Sequence, residues 1–193
     1  MEAAAQYFSW RLTTDATVPL GEEAAHECVT AVRTAIGEVA QSVARSPRDF
    51  ACTFLGAVVT DGAALLFQVG DGAVVFDGDA GLEAAVWPMV GEYANTTYFV
   101  SDEDALNRLC VRTVNRRISR LALFTDGVQR IALNFAAKAP HEPFFAPLFA
   151  VLDSASEDQA EALDLALAQF LASAEVNAST DDDKTLVLAT RPR

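Results

Sequence analysis

Three aspartate-bearing turns stand at the ends of apolar runs, and their spacing limits what this chain can fold into. The first is Val69-Gly70-Asp71-Gly72-Ala73, between the apolar stretches 63–69 and 73–76. The second is Thr125-Asp126-Gly127, directly after Leu121-Ala122-Leu123-Phe124. The third is Asp181-Asp182-Asp183-Lys184, directly before Thr185-Leu186-Val187-Leu188-Ala189. Short apolar runs bounded by turn residues read as strands. Acids at strand ends, distant in sequence, converge when their strands share a sheet. Converged carboxylates repel one another unless they are protonated or bridged by a cation. The natural bridge is a hard, oxygen-seeking ion, Mg2+ or Mn2+. The pattern therefore points to metal-assisted hydrolysis, with a phosphate ester as the expected substrate.

A chain of 193 residues with 51% apolar side chains is expected to form one domain, residues 1–193, around a substantial core. Its net charge of −13 and pI near 4.4 repel polyanions, which excludes general nucleic-acid binding. A bound cation would reverse that sign locally and admit a phosphate group. No apolar run approaches the ~20 residues of a membrane-crossing helix. Nor does the N-terminus show a basic segment followed by an apolar one. A cytoplasmic protein without a membrane partner is expected. The three cysteines, Cys28, Cys52 and Cys110, form no CxxC pair and sit among apolar neighbours, so buried reduced thiols are expected.

Residues 2–12 suit a short helix and 13–21 a loop. In 22–45, Ala25, Cys28, Val29, Val32, Ile36, Val39 and Val43 recur at helical spacing and predict one buried stripe, ended by Ser46-Pro47-Arg48. From Phe50 onward, Asp61-Gly62, Asp71-Gly72 and Asp77-Gly78 punctuate short apolar runs, the pattern of a hairpin meander. A strand is expected at 97–100, and 106–115 is compatible with helix or strand. A buried strand follows at 118–125. After Gly127 a helix places Val128, Ile131, Ala132 and Phe135 on one face. A further helix covers 144–152. Ser156-Glu157-Asp158-Gln159 resembles a capping box. The helix it opens turns Ala160, Leu163, Leu167, Phe170, Leu171 and Ala174 inward. A polar loop, 177–183, leads to a last strand at 185–190. Helices in two blocks around a strand-rich centre predict an α+β sandwich. Taken singly, Asp61, Asp71 and Asp77 also suit ordinary turns, Asp126 a helix N-cap, and 181–183 a solvated acidic loop. His26 and His141 lack ligand spacing and read as surface residues. Arg108, Arg112, Arg116, Arg117 and Arg120 read as a solvated face paired with nearby acids, or as docking for a phosphorylated segment.

The motifs resemble those of the metal-dependent protein serine/threonine phosphatases, the protein phosphatase 2C-like group. Val69-Gly70-Asp71-Gly72-Ala73 is similar to that group's V-G-D-S-R-A, and Leu123-Phe124-Thr125-Asp126-Gly127-Val128 to its L-x-S-D-G-L. Asp182-Asp183-Lys184-Thr185 is similar to its D-N-x-T, and the order agrees. Gly91-Glu92-Tyr93-Ala94-Asn95-Thr96-Thr97-Tyr98-Phe99 resembles the compact bacterial branch. The resemblance implies an α-β-β-α sandwich of mainly antiparallel sheets flanked by helices. It also implies N-terminal truncation, because the group's phosphate-binding arginine, early Asp and D-G-x-G segment would precede residues 2–8. Asp126 and Asp182 match carboxylates holding the second ion of a binuclear Mg2+/Mn2+ centre, and Asp71 matches the acid of a third, weaker position. Gly127 would let the chain turn tightly beside the metal. The implied activity is hydrolysis of phosphoserine and phosphothreonine in proteins through a metal-activated water, with no side chain as nucleophile. The partners implied are a phosphorylated protein substrate and a serine/threonine kinase. The truncation implies an alternative, a catalytically impaired pseudophosphatase serving as a binding or regulatory module. Oligomeric state is left open.

Overall fold

A computed structural model of the chain describes residues 1–14, 20–79, 81–89 and 97–191. In chain order, two helices come first, α1 (Glu2–Thr14) and α2 (Glu22–Ser42). Six strands follow: β1 (Phe54–Val59), β2 (Ala64–Val69), β3 (Ala73–Gly78), β4 (Gly81–Val86), β5 (Cys110–Val114) and β6 (Arg120–Phe124). The remainder is α3 (Asp126–Ala132), the short pair β7 (Leu133–Asn134) and β8 (Ala139–Pro140), α4 (Glu142–Ser154), α5 (Ala160–Leu171), α6 (Ala174–Asn177) and β9 (Leu186–Thr190). These elements fall into two compact units, Met1–Gly72 with Val86–Arg117, and Ala73–Ala85 with Ile118–Arg193. The class is α+β, as expected, and each unit supplies a sheet and its own helices. Every strand pair with a defined register is antiparallel.

The first unit holds a three-stranded sheet ordered β1-β2-β5. Asp61-Gly62 closes the β1–β2 hairpin, with Val59 opposite Ala64. Successive side chains of a strand point to opposite faces. Accordingly Leu65, Phe67 and Val69 share one core with Phe8 of α1 and with Cys28, Val29 and Val32 of α2. Ala64, Leu66 and Gln68, on the other face, are fully buried too. The expected stripe of α2 holds as far as Ile36. Val39 and Val43, at 50% and 54% exposure, lie past the end of that core. The two helices are locked by polar contacts. Arg11 Nη1 donates to Tyr7 Oη at 2.7 Å and to Glu27 Oε2 at 2.5 Å, and the Tyr7 hydroxyl donates to Glu27. Burial, reinforced by Glu27, pushes the Tyr7 hydroxyl up to about 12. Cys28 is buried, which pushes its thiol up to about 11. Cys52 and Cys110 are exposed, against expectation, because one precedes β1 and the other opens β5.

The second unit holds a four-stranded sheet ordered β4-β3-β6-β9. Ala73, Val74, Val75 and Phe76 of β3 are buried beside Ala122 and Phe124 of β6. Helix α4 contributes Phe145 and Phe149, four residues apart and therefore on one face. Their rings stack 6.1 Å apart, and Phe145 lies 5.9 Å from Phe124. Arg120 closes the layer, with an ion pair to Asp153 at 2.5 Å.

Several expectations are corrected. Asp71-Gly72 is no hairpin turn, since β2 and β3 belong to different sheets. Asp77 lies within β3, and its carboxylate accepts from the backbone N–H groups of Ser119 and Arg120 at 2.7 and 3.0 Å, securing the entry to β6. Residues 97–100 form irregular chain and a turn, and 106–115 divide between a 3-10 turn, Ala105–Arg108, and β5. Phe135 falls beyond α3 in the β7–β8 hairpin and is 48% exposed. Along α5 and α6 only Leu171 of the expected inward set is buried, because a groove of about 410 Å3 remains open between α4, α5 and β9. Residues 15–19 of the expected loop and 91–96 of the bacterial-type stretch lie outside the described residues. No helix among the described residues is long and apolar enough to cross a membrane.

Helix α2 ends on a non-glycine residue in the left-handed region, Ala44 at φ +52°. The N–H of Arg45 reaches back to the Ala40 carbonyl at 2.8 Å, and that of Ala44 to Gln41 at 3.2 Å, the Schellman arrangement. Glycine usually holds this place because a Cβ there is strained. Ala44→Gly is expected to stabilise the chain by about 0.5–1 kcal/mol. Thermal unfolding checks this, and an unchanged or lower Tm would deny the strain.

Candidate active site

The acidic turns of the second unit meet because two strands pair. Phe124 at the end of β6 lies opposite Leu186 at the start of β9. The residues just beyond those ends are therefore forced together. Thr125 N–H donates to the Thr185 carbonyl at 3.1 Å, extending the ladder by one step. The Thr125 hydroxyl accepts from Thr185 N–H at 3.0 Å and makes a long 3.5 Å contact to the Asp183 carbonyl. Gly127 completes the join. A Cβ on it would stand 2.3 Å from the Asp183 carbonyl oxygen, so the two backbones approach more closely than any side chain permits.

This join brings together the turns carrying Asp126 and Asp182. Asp126 is the first residue of α3, and Thr125 holds the N-cap place without using its side chain as a cap. The N-cap reading of Asp126 is thus displaced by one residue. Its Oδ1 accepts from Gly127 N–H at 2.9 Å, and the residue is exposed. Asp182 is also exposed. Its Oδ2 accepts from the Thr180 hydroxyl at 3.3 Å, while its own N–H donates to that hydroxyl at 3.1 Å. Lys184 Nζ donates to the Asp182 carbonyl at 3.2 Å.

Asp71 belongs to the other unit. It follows Gly70, whose φ of +122° and whose closeness to Thr53, 2.5 Å from an added Cβ, both demand glycine. Asp71 Oδ2 accepts from the Thr97 hydroxyl at 2.6 Å and the residue is half-buried. Thr97, Thr125, Thr180 and Thr185 are the site-shaping residues that sequence reasoning passed over. For Thr125, Thr180 and Thr185 the signal was a hydroxyl residue beside an acidic turn, whereas Thr97 stands 26 residues from Asp71 and carried none.

Several of the remaining polar candidates have structural partners. Arg108 pairs with Asp104 at 3.0 Å and lies 4.3 Å over the Tyr98 ring, and Arg120 pairs with Asp153. His26 stands 3.7 Å from Glu22, and His141 is the exposed N-cap residue of α4.

Among the described residues no group of three or more His, Cys, Asp or Glu side chains forms a cage for a metal ion. A small hard cation does not need one, since Mg2+ is commonly held by one or two carboxylates and keeps several waters. The atoms of the joined turns able to ligate a metal are oxygens, and Lys184 Nζ is engaged by the Asp182 carbonyl. The Gly127 cradle, which a Cβ would fill, holds the two acid-bearing backbones together. That chemistry fits a hard divalent cation.

The join is testable as structure. Gly127→Ala is expected to lower stability by about 1–3 kcal/mol through overpacking, and Thr125→Val by about 1 kcal/mol through loss of a hydrogen bond. Urea unfolding measures both. A Gly127→Ala midpoint equal to wild type would contradict the close approach to Asp183.

Comparison with known proteins bears on the fold and on the family. The family model described as Protein phosphatase 2C matches residues 1–172. Serine/threonine-protein phosphatase 3 of Escherichia coli (strain K12) is 46% identical over 170 residues, covering 88% of this chain and 67% of that protein. Among solved structures, a bacterial serine phosphatase superposes with a TM-score of 0.60 at 14% identity, over 100% of this chain and 79% of that one. Serine/threonine phosphatase Stp1 from Staphylococcus aureus gives a TM-score of 0.57 at 16% identity, over 100% of this chain and 77% of that one. The structural likenesses speak for the fold, the family match and the close relative for descent, and the chain belongs to the protein phosphatase 2C family.

Proposed function

We propose that residues 1–193 form one phosphatase domain that hydrolyses phosphoserine and phosphothreonine in proteins with the aid of Mg2+ or Mn2+. The observation that carries this reading is the join of Thr125-Asp126-Gly127 to Asp183-Lys184-Thr185, which presents exposed carboxylates from two turns on a rigid base. Its support from relatives is the name of the 46% identical protein, a serine/threonine-protein phosphatase. The single-domain reading is favoured by a family match that runs through residues of both units.

In this reading Asp126 and Asp182 hold the cation, and Asp71 serves a weaker position. A bound divalent cation neutralises phosphate oxygens and acidifies water at neutral pH. The chain's own part is orientation. Gly127 and Thr125 hold the turn of Asp126 against the turn of Asp182, so both acids face the phosphate from fixed backbone. Thr180 and Lys184 restrain the Asp182 turn from either side. Substrates of this kind are made by a protein serine/threonine kinase, and in this reading the enzyme works opposite such a kinase in the cytoplasm.

The test is Mn2+-dependent hydrolysis of a phosphothreonine peptide. Asp126→Ala and Asp182→Asn are expected to lower the rate at least about 100-fold with circular dichroism unchanged, and Asp71→Ala to raise the metal concentration required. Full activity in the first two variants would sink the assignment. A folded wild-type chain that binds the peptide without hydrolysing it would turn the reading to a binding module.

A further inference from the structure

Helix α3 carries the proposed site at one end and a differently built recess at the other. Arg130 and Ile131 stand one helical turn beyond Asp126 and Gly127, and residues four apart share a helix face. They line a recess of about 630 Å3, whose other walls include Phe135 of the β7–β8 hairpin, Phe144 of α4, Phe170 of α5 and Glu175 of α6. Its aromatic lining is accessible: Phe135 is 48% exposed and Phe170 38%. Phe144 is held edge-on to Phe145, with ring centres 4.9 Å apart, and lies 6.2 Å from Phe170. Arg130 is exposed, a cation in a chain of net charge −13.

We propose that this recess is a subsite for the substrate polypeptide, taking a large apolar or aromatic side chain near the phosphorylated residue while Arg130 pairs with a neighbouring substrate carboxylate. The inference rests on the reading of Asp126 as part of the phosphate site. Four residues of helix rise about 6 Å, and an extended peptide advances roughly 3.3 Å per residue. A side chain roughly two or three residues from the phosphate therefore reaches the recess. The continuity of site and recess along one face of α3 favours a polypeptide, which occupies both at once. Charge narrows the choice further. Arg130 attracts an acidic neighbour, whereas Glu175 opposes a carboxylate inside the recess, so the inserted side chain is apolar.

The experiment compares phosphothreonine peptides carrying Phe at the second and third positions on both sides, with a flanking Glu, against peptides carrying Ala there. Wild type is expected to favour the Phe peptides about 10-fold in kcat/KM, mainly through KM. Phe135→Ala and Arg130→Glu, each checked for an unchanged Tm, are expected to bring that ratio close to one. Equal kcat/KM for Phe and Ala peptides in wild type, or a preference that survives both substitutions, overturns the subsite and leaves the phosphatase reading standing. If no peptide is hydrolysed, that reading fails, and fluorescence anisotropy of a labelled Phe peptide decides the recess separately. Binding weakened by both substitutions supports the subsite, and binding indifferent to them removes it.

Discussion

The pairing of β6 with β9 is the constraint on which the second unit depends. Five residue pairs from Arg120 opposite Thr190 to Phe124 opposite Leu186 set the register. A slip of one residue would turn every side chain of β9 to the other face. It would also part Thr125 from Thr185 and move the Asp183 carbonyl away from Gly127. The register therefore sets both the packing of the sheet and the placement of the acidic turns. The hydrophobic face of the sheet selects it, and the acidic turns inherit their closeness from it.

The chemistry follows from that placement. Exposed acids in a chain of net charge −13 would ordinarily spread apart in solvent. Here Asp126 and Asp182 are carried on turns whose backbones are joined through Thr125, Thr185 and Gly127, so their separation cannot relax freely. In the function proposed above, a hard cation complements such a pair. In the first unit, Gly70 and the Thr97 hydroxyl hold Asp71 by similar means, a glycine where a Cβ does not fit and a hydroxyl on the carboxylate.

Much of the fold was legible along the chain. The helical spacing of Ala25, Cys28, Val29 and Val32 and the apolar runs of β2, β3 and β6 reflect burial, which periodicity reports directly. Asp61-Gly62 marked a true hairpin. Asp71-Gly72 looked the same and was not, because a turn's sequence states its backbone angles and not which sheet the next strand joins. Phe135 was misplaced for a related reason. Helical spacing runs on past Ala132, but the chain leaves the helix to form the β7–β8 hairpin, and that ring stays exposed.

The sequence by itself determined the acidic turns, the strands that bear them, and the glycines beside them, since short-range sterics and hydrophobic patterning act within a few residues. It also carried the family motifs in order. Only the tertiary structure decided that Thr125 meets Thr185, that Thr97 takes the Asp71 carboxylate, and that Gly127 lies against the Asp183 carbonyl. Those contacts join residues far apart along the chain, and their partners are chosen by strand register, a property of the paired sheet and of no single segment.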